Sequence, residues 1–311
     1  MTDLATRRLG RSELQPAALG LGGAWWHKAG RQGTIAGIEA ALDLGMNFLD
    51  TYPGQHEQTW GDVLAQDGRR EGVYLQAKVS CHVRNERTSD HSAAKTRSSV
   101  EGSLRDLRTD YLDSVIIHGY DQPEQLQTGD ILDPLAPGNA LDELLKMKAE
   151  GKVRHIGIGA RSAEVHKRAI ATGHIELILT YLEYNLLTQA AATELFPLCR
   201  ELDVGVILAS PLAMGLLTGA EPDAADEQHK IRDLTEPRAQ RMWRWCQERD
   251  IDIRHLAIQY CLAAPVDGFV LPGQASADEV RSSYEAATCT VGADVWREFG
   301  GEFGIGVEGL V

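Results

Sequence analysis

No stretch of this chain approaches the ~18 consecutive apolar residues that a membrane-spanning helix needs, although 43% of its 311 residues are hydrophobic. The first ten residues, M-T-D-L-A-T-R-R-L-G, lack the apolar core of a secretory signal. Cysteine is sparse. Cys81, Cys199, Cys246, Cys261 and Cys289 are odd in number and scattered, and no pair has metal-ligand spacing. The expectation is reduced thiols in a cytoplasmic protein, with no metal site. Basic residues are also in deficit. With 31 Lys and Arg against 45 Asp and Glu, the formal net charge is −14. That balance disfavours nucleic acid and anionic membranes as partners, because both need a basic face. No linker or internal repeat divides the sequence, so one domain over residues 1–311 is expected.

What the chain does have is alternation. Residues 46–49, M-N-F-L, read as a buried strand that stops at Asp50, with Tyr52, His56 and Glu57 close behind. Pro53 and Gly54 mark that stretch as a loop. Apolar runs of the same kind occupy 17–24, 73–79, 112–118, 153–159, 177–181, 204–210 and 268–271. Helical spacing appears at 34–44, 57–65, 96–107, 141–150, 162–171, 195–202, 238–249, 254–263 and 278–287. Residues 6–14 read as a short hairpin around Gly10. The pattern predicts an α/β protein, a (β/α)8 TIM barrel with an N-terminal β-hairpin.

In such a barrel the carboxyl ends of the strands share one face. Asp50, Lys78 and His118 each end an apolar strand, so all three are expected on that face. Taken singly, each has a plainer reading: a helix cap, a solvated strand end, a structural histidine. Their coincidence on successive strands is what raises them to candidates. Trp25 and Trp26 follow the first strand in a glycine-flanked loop and are expected to form pocket wall. The loops around Tyr52, Tyr120 and residues 219–236 would complete that pocket.

Beyond this point the residues resemble a family. G-M-N-F-L-D-T with G-Q-H-E, L-Q-A-K, S-V-E-G-S-L-R-D-L-R-T-D-Y-L-D-S-V-I-I-H, K-V-R-H-I-G-I-G, A-S-P-L-A-M-G-L-L-T-G and L-P-G-Q-A-S are similar to the aldo-keto reductases. The likeness runs from the hairpin to the eighth helix. Within the family, T-S-D-H-S and G-I-G-A are similar to the aldose dehydrogenase branch, which acts on L-fucose-like sugars, D-threo-aldoses and pyridoxal. The resemblance implies hydride transfer between NAD or NADP and a carbonyl or alcohol of a small sugar-like or aldehyde substrate. It implies a tyrosine as proton donor, Lys78 favouring its phenolate, Asp50 holding the lysine, and His118 orienting the carbonyl. A phenol, ordinarily near pKa 10, needs such a cation to work at neutral pH.

The sequence departs from the family at the tyrosine. The loop is shorter than the family's, the position five after Asp50 is Gln55, and counting back from Glu57 reaches Pro53. Tyr52 is the phenol available, with His56, or His118 acting alone, as competitors. The cofactor half departs too. Gly22 and Gly23 end the first strand; Gly159 to Arg161 replace the family's Ser-Asn pair; Tyr181 replaces its Gln and could stack on the nicotinamide. The expected phosphate turn comprises Ser210, Leu212 and Gly215, with Gly273, Ser276, Glu279 and Ser283 after the eighth strand. Each serine has a helix cap as its alternative. The 272–281 turn has no basic residue where the family tends to place one, so NAD is expected over NADP. Two rival functions remain open: a cofactor-retaining sugar epimerase or lyase with no net redox, and a catalytically weakened cofactor-binding regulatory subunit.

Overall fold

The computed structural model describes residues 3–54, 56–66, 68–80, 90–119, 132–222 and 236–311. Its centre is an eight-stranded parallel sheet in sequential order, β1 (Leu21–Gly22), β2 (Phe48–Asp50), β3 (Tyr74–Val79), β4 (Leu112–His118), β5 (Val153–Ala160), β6 (Leu177–Tyr181), β7 (Gly205–Ala209) and β8 (Gly268–Leu271). Parallel bridges Leu19–Val270 and Gly22–Gly273 join the last strand to the first and close the barrel. The first strand is much shorter than the expected 17–24. Its pairing on the β8 side is by isolated bridges, so residues 17–20 lie beside β8 without a continuous ladder.

Helices α1 (Gly30–Asp43), α2 (Glu57–Leu64), α3 (Ala93–Asp106), α4 (Ala140–Ala149) and α5 (Ala163–Ile170) follow strands one to five. Then come α6 (Ala190–Thr193), α7 (Leu195–Glu201), α8 (Glu236–Gln247), α9 (Ile253–Leu262), α10 (Ala277–Thr288) and α11 (Ala293–Phe303). Side-chain caps set several starts: Ser92, Ser162 and Ser276 each accept from a backbone N–H one turn on. The cap at Ser92 explains why α3 begins earlier than the expected residue 96. Helix α11 is an addition to the expected elements; its Phe299 and Phe303 pack edge-on against Trp245 of α8. No helix among the described residues is long and apolar enough to cross a membrane.

Strands buried on both faces read as near-continuous apolar runs, and here the two faces feed two cores. Leu75, Ala77 and Val79 of β3 face the helices. Phe48, Ile116, Leu177, Ile207 and Phe269 point inward and fill the barrel. The N-terminal hairpin is present, with Leu9 N donating to Leu14 O at 3.0 Å and Arg7 N to Pro16 O at 2.8 Å. Its Leu9 and Leu14 join the inner core and so floor the barrel. The side chains at the carboxyl ends of the strands are left to line a cavity.

Phe269, tilted against Phe48 at 4.5 Å between centroids, is the keystone of that inner layer. Phe269→Ala is expected to lower unfolding free energy by ~3–5 kcal/mol. Urea denaturation checks this; a loss under ~1 kcal/mol would mean the inner layer collapses around the gap.

Candidate active site

Side chains two apart on a strand share a face. Gln76 and Lys78 on β3, and Ser114, Ile116 and His118 on β4, therefore point into the barrel beside Asp50, the last residue of β2. Asp50 and Lys78 are 3% and 2% exposed and form an ion pair, Nζ to Oδ1. Gln76 Nε2 donates to the same oxygen at 2.7 Å, and Ser114 Oγ donates to Gln76 Oε1 at 2.9 Å. A buried charge is tolerated only when paired and hydrogen-bonded; this relay supplies both.

Tyr52 lies on top. Lys78 Nζ is 4.4 Å from the centroid of its ring, and its hydroxyl is hydrogen-bonded to His118 Nε2. The Tyr52 and His118 rings meet edge to face at 5.2 Å. The cation meets the π face of the phenol ring. Added electron density in an ionised ring strengthens that attraction.

A cavity of about 330 Å³ opens over these groups, walled by Gly22, Gly23, Trp25, Tyr181, Ser210 and Gly273. Through Trp25, Ser210, Met214 and Gly273 it adjoins a second of about 470 Å³, which Leu212, Gly215, Glu279 and Ser283 also line. Lys28 and Arg254 bring positive charge to this second cavity. Its floor is wound unusually: Ser210, Ala213 and Met214 all have positive φ, as does Gly215 at 108°. Non-glycine residues held there store strain of about 1–3 kcal/mol each, a habit of ligand sites.

The joined cavities fit a nicotinamide dinucleotide. At Gly273 a Cβ would sit 2.8 Å from the Trp25 ring, so glycine lets the backbone and the indole close on one slot. At Gly23 a Cβ would sit 2.0 Å from the backbone O of Asp50, so glycine lets the first strand close on the backbone at the end of β2. Tyr181 would face the ring end, and the Ser210–Gly215 and Gly273 turns would hold the pyrophosphate.

Several expected residues lie elsewhere. Trp26 is fully buried, donates Nε1–H to Gly22 O at 2.9 Å and packs edge-on against Trp60, so it is core and not pocket wall. A 3-10 turn at 26–28 sends the two tryptophans opposite ways. His56 begins α2 with φ 60° and lines a separate groove beside Arg31 and Lys95, which removes it as a proton donor for this cavity. Gly159 is buried in β5 opposite His118, and Arg161 is ion-paired to Glu183; neither lines the two cavities. Ser276 Oγ accepts from Glu279 N at 3.2 Å and acts as the α10 cap. Tyr120 and Cys81 fall outside the described residues. Gln76, Ser114, Lys28 and Arg254 were not singled out from the sequence; the i, i+2 spacing of Gln76 to Lys78 and of Ser114 to Ile116 and His118 carried a signal for the first two.

Behind the ion pair lies Glu57, whose Oε1 is 3.1 Å from Thr51 Oγ1 and 3.0 Å from Ser103 Oγ. Burial pushes its carboxyl up to about 7, against the pull of those hydroxyls and of Lys78. The unfolded acid ionises from about 4.5, so stability is full below that pH and falls as pH rises toward 7. The loss is on the order of 3 kcal/mol. His91, lowered by burial to about 4, acts in the opposite sense between that value and 6.5, so only a difference between variants isolates Glu57. Glu57→Gln mimics the protonated acid. Relative to wild type it is expected to gain stability between pH 4.5 and 8 in urea titrations; a pH-independent difference would contradict the buried acid.

Comparison with known proteins identifies the family of the chain. Residues 18–299 match the model of the aldo/keto reductase family. The chain is 30% identical to L-galactose dehydrogenase of Arabidopsis thaliana over 302 residues, spanning 93% of this chain and 89% of that one. It is 30% identical to D-threo-aldose 1-dehydrogenase of Pseudomonas sp. over 287 residues, 84% and 85% of the two chains. The holo form of aldo-keto reductase AKR11C1 from Bacillus halodurans superposes with a TM-score of 0.80 at 28% identity, covering 96% of each chain. The chain belongs to the aldo-keto reductase family and is an NAD(P)-dependent oxidoreductase.

Proposed function

We propose that this protein oxidises an aldose-like substrate with NAD as the preferred acceptor, and that Tyr52 is its acid/base. The observation that carries the reading is the placement of one phenol between Lys78 and His118, over a buried Asp50–Lys78 pair. In the oxidising direction the Tyr52 oxygen takes the hydroxyl proton from the substrate carbon that loses hydride. His118 holds the reacting oxygen beside it. Lys78 favours the phenolate that starts the cycle, and Asp50, Gln76 and Ser114 keep Lys78 in place. The bound nicotinamide supplies the hydride acceptor or donor. In the reducing direction Tyr52 returns the proton to the carbonyl oxygen. Sugar-like substrates are supported by the names of the two relatives. The intact Asp50–Lys78 pair speaks against a subunit that has lost its chemistry.

The preference for NAD follows from charge. Within residues 272–281 the one basic group, Arg281, is bonded to Asp278 at 3.1 Å and lies outside the cavity wall. Glu279 Oε2, held by Ala275 N at 2.6 Å, fixes a negative charge on that wall. A 2′-phosphate adds nearly two negative charges and normally meets Arg or Lys.

Two outcomes are expected. Tyr52→Phe lowers kcat by ~10²-fold or more with the cofactor Kd unchanged; an aldose panel with NAD measures it, and full activity would exclude Tyr52. NAD binds about tenfold tighter than NADP in fluorescence titrations at one ionic strength; tighter NADP would overturn the preference.

A further inference from the structure

Arg254 stands at the far end of the second cavity, away from Asp50, Tyr52, Lys78 and His118, and also borders the next groove along α9. With the nicotinamide at Tyr52 and the pyrophosphate at Gly215 and Gly273, this end falls to the adenosine half. It is where an arginine would be placed to recognise a 2′-phosphate, since the fork of guanidinium donors matches phosphate oxygens.

This guanidinium is already engaged. Its Nε is 3.0 Å from Asp252 Oδ1 and 2.9 Å from Oδ2, its Nη2 is bonded to Oδ2, and its Nη1 donates to Ser282 Oγ of α10 at 2.6 Å. Asp252 is itself fixed, because Oδ1 caps α9 by accepting Arg254 N–H at 2.9 Å. The backbone closes over the pair at Gly219, where a Cβ would meet Arg254 Nε at 3.4 Å and Asp252 Oδ1 at 3.5 Å. Burial opposes the Asp252 charge, yet the bonds from Arg254 hold its carboxyl below the usual range. The pair is therefore ionised, locked and close to neutral as a unit.

We infer that Asp252 is a positioning residue for cofactor choice: by holding the Arg254 guanidinium in an internal ion pair it withholds that cation from a dinucleotide 2′-phosphate. The inference rests on the reading above that the second cavity takes the adenosine half. Lys28, 4.4 Å over the Trp25 ring, contributes its charge near the junction of the cavities and so serves both dinucleotides.

The test is the ratio of NAD to NADP dissociation constants, by fluorescence titration of the full chain at fixed ionic strength. Asp252→Asn keeps the helix cap but frees the charge; NADP is expected to tighten about fivefold with NAD changed less than about twofold. Asp252→Glu preserves the ion pair and the wild-type ratio. Arg254→Gln exposes the Asp252 carboxylate and weakens NADP further. Asp252→Asn with Arg254→Gln returns the ratio toward wild type. A wild-type ratio in Asp252→Asn at an unchanged Tm overturns the inference, as does a gain that survives in the double variant. The ratio in wild type tests the cofactor preference, and the change in ratio tests the lock.

Discussion

A lysine with 2% exposure inside a barrel must be answered by an anion, and much of this site follows from that requirement. Asp50 supplies the anion from the end of β2. Gln76 and Ser114 satisfy the remaining polar valences from β3 and β4. The relay needs three adjacent parallel strands in one register, with Asp50 opposite Gln76 and Gln76 opposite Ser114. A shift of one residue would turn each of these side chains toward the helices. The sheet is therefore the positioning device, and the loop after β2 has only to fold Tyr52 back over the cation.

The same constraint divides the barrel interior. Below the relay, Phe48, Phe269 and the hairpin leucines close the core to water. Above it the wall is glycine-rich and largely apolar, with Trp25 and Tyr181, and it runs on into a slot of the kind a dinucleotide occupies. The apolar floor lowers the local dielectric, which strengthens the hold of Lys78 on any developing phenolate. Glu57 brings a second acid behind the pair, its carboxyl pushed up to about 7 by burial.

The barrel was legible in the sequence because its strands are buried on both faces and announce themselves as apolar runs. Asp50, Lys78 and His118 were legible for the same reason: each interrupts such a run at its carboxyl end. Tyr52 was reachable as the one phenol of a shortened loop. Orientation was harder. Trp25 and Trp26 are neighbours, and only the 3-10 turn between strand and helix decides that one faces the cavity and the other the core. His56 belongs to the same loop as Tyr52 yet faces outward, because its left-handed backbone starts α2. Helix α11 was missed although Trp296, Phe299 and Phe303 have helical spacing, since no barrel unit required a helix there. The Asp252–Arg254 pair gains meaning only when α10 brings Ser282 beside it, a contact that no local pattern carries.

The central claim is that the charge of Lys78 sets the ionisation of the group that moves the proton. The direct measurement is the rate of hydride transfer in the reducing direction, from reduced nicotinamide to the carbonyl, in single turnover, followed as a function of pH by nicotinamide fluorescence, in wild type and in Lys78→Met. The account predicts that in Lys78→Met the basic limb of the profile moves toward the range of an ordinary phenol, about pH 10, while cofactor affinity holds. An unchanged basic limb, with the rate reduced equally at every pH, would show that the lysine shapes the site without governing the proton.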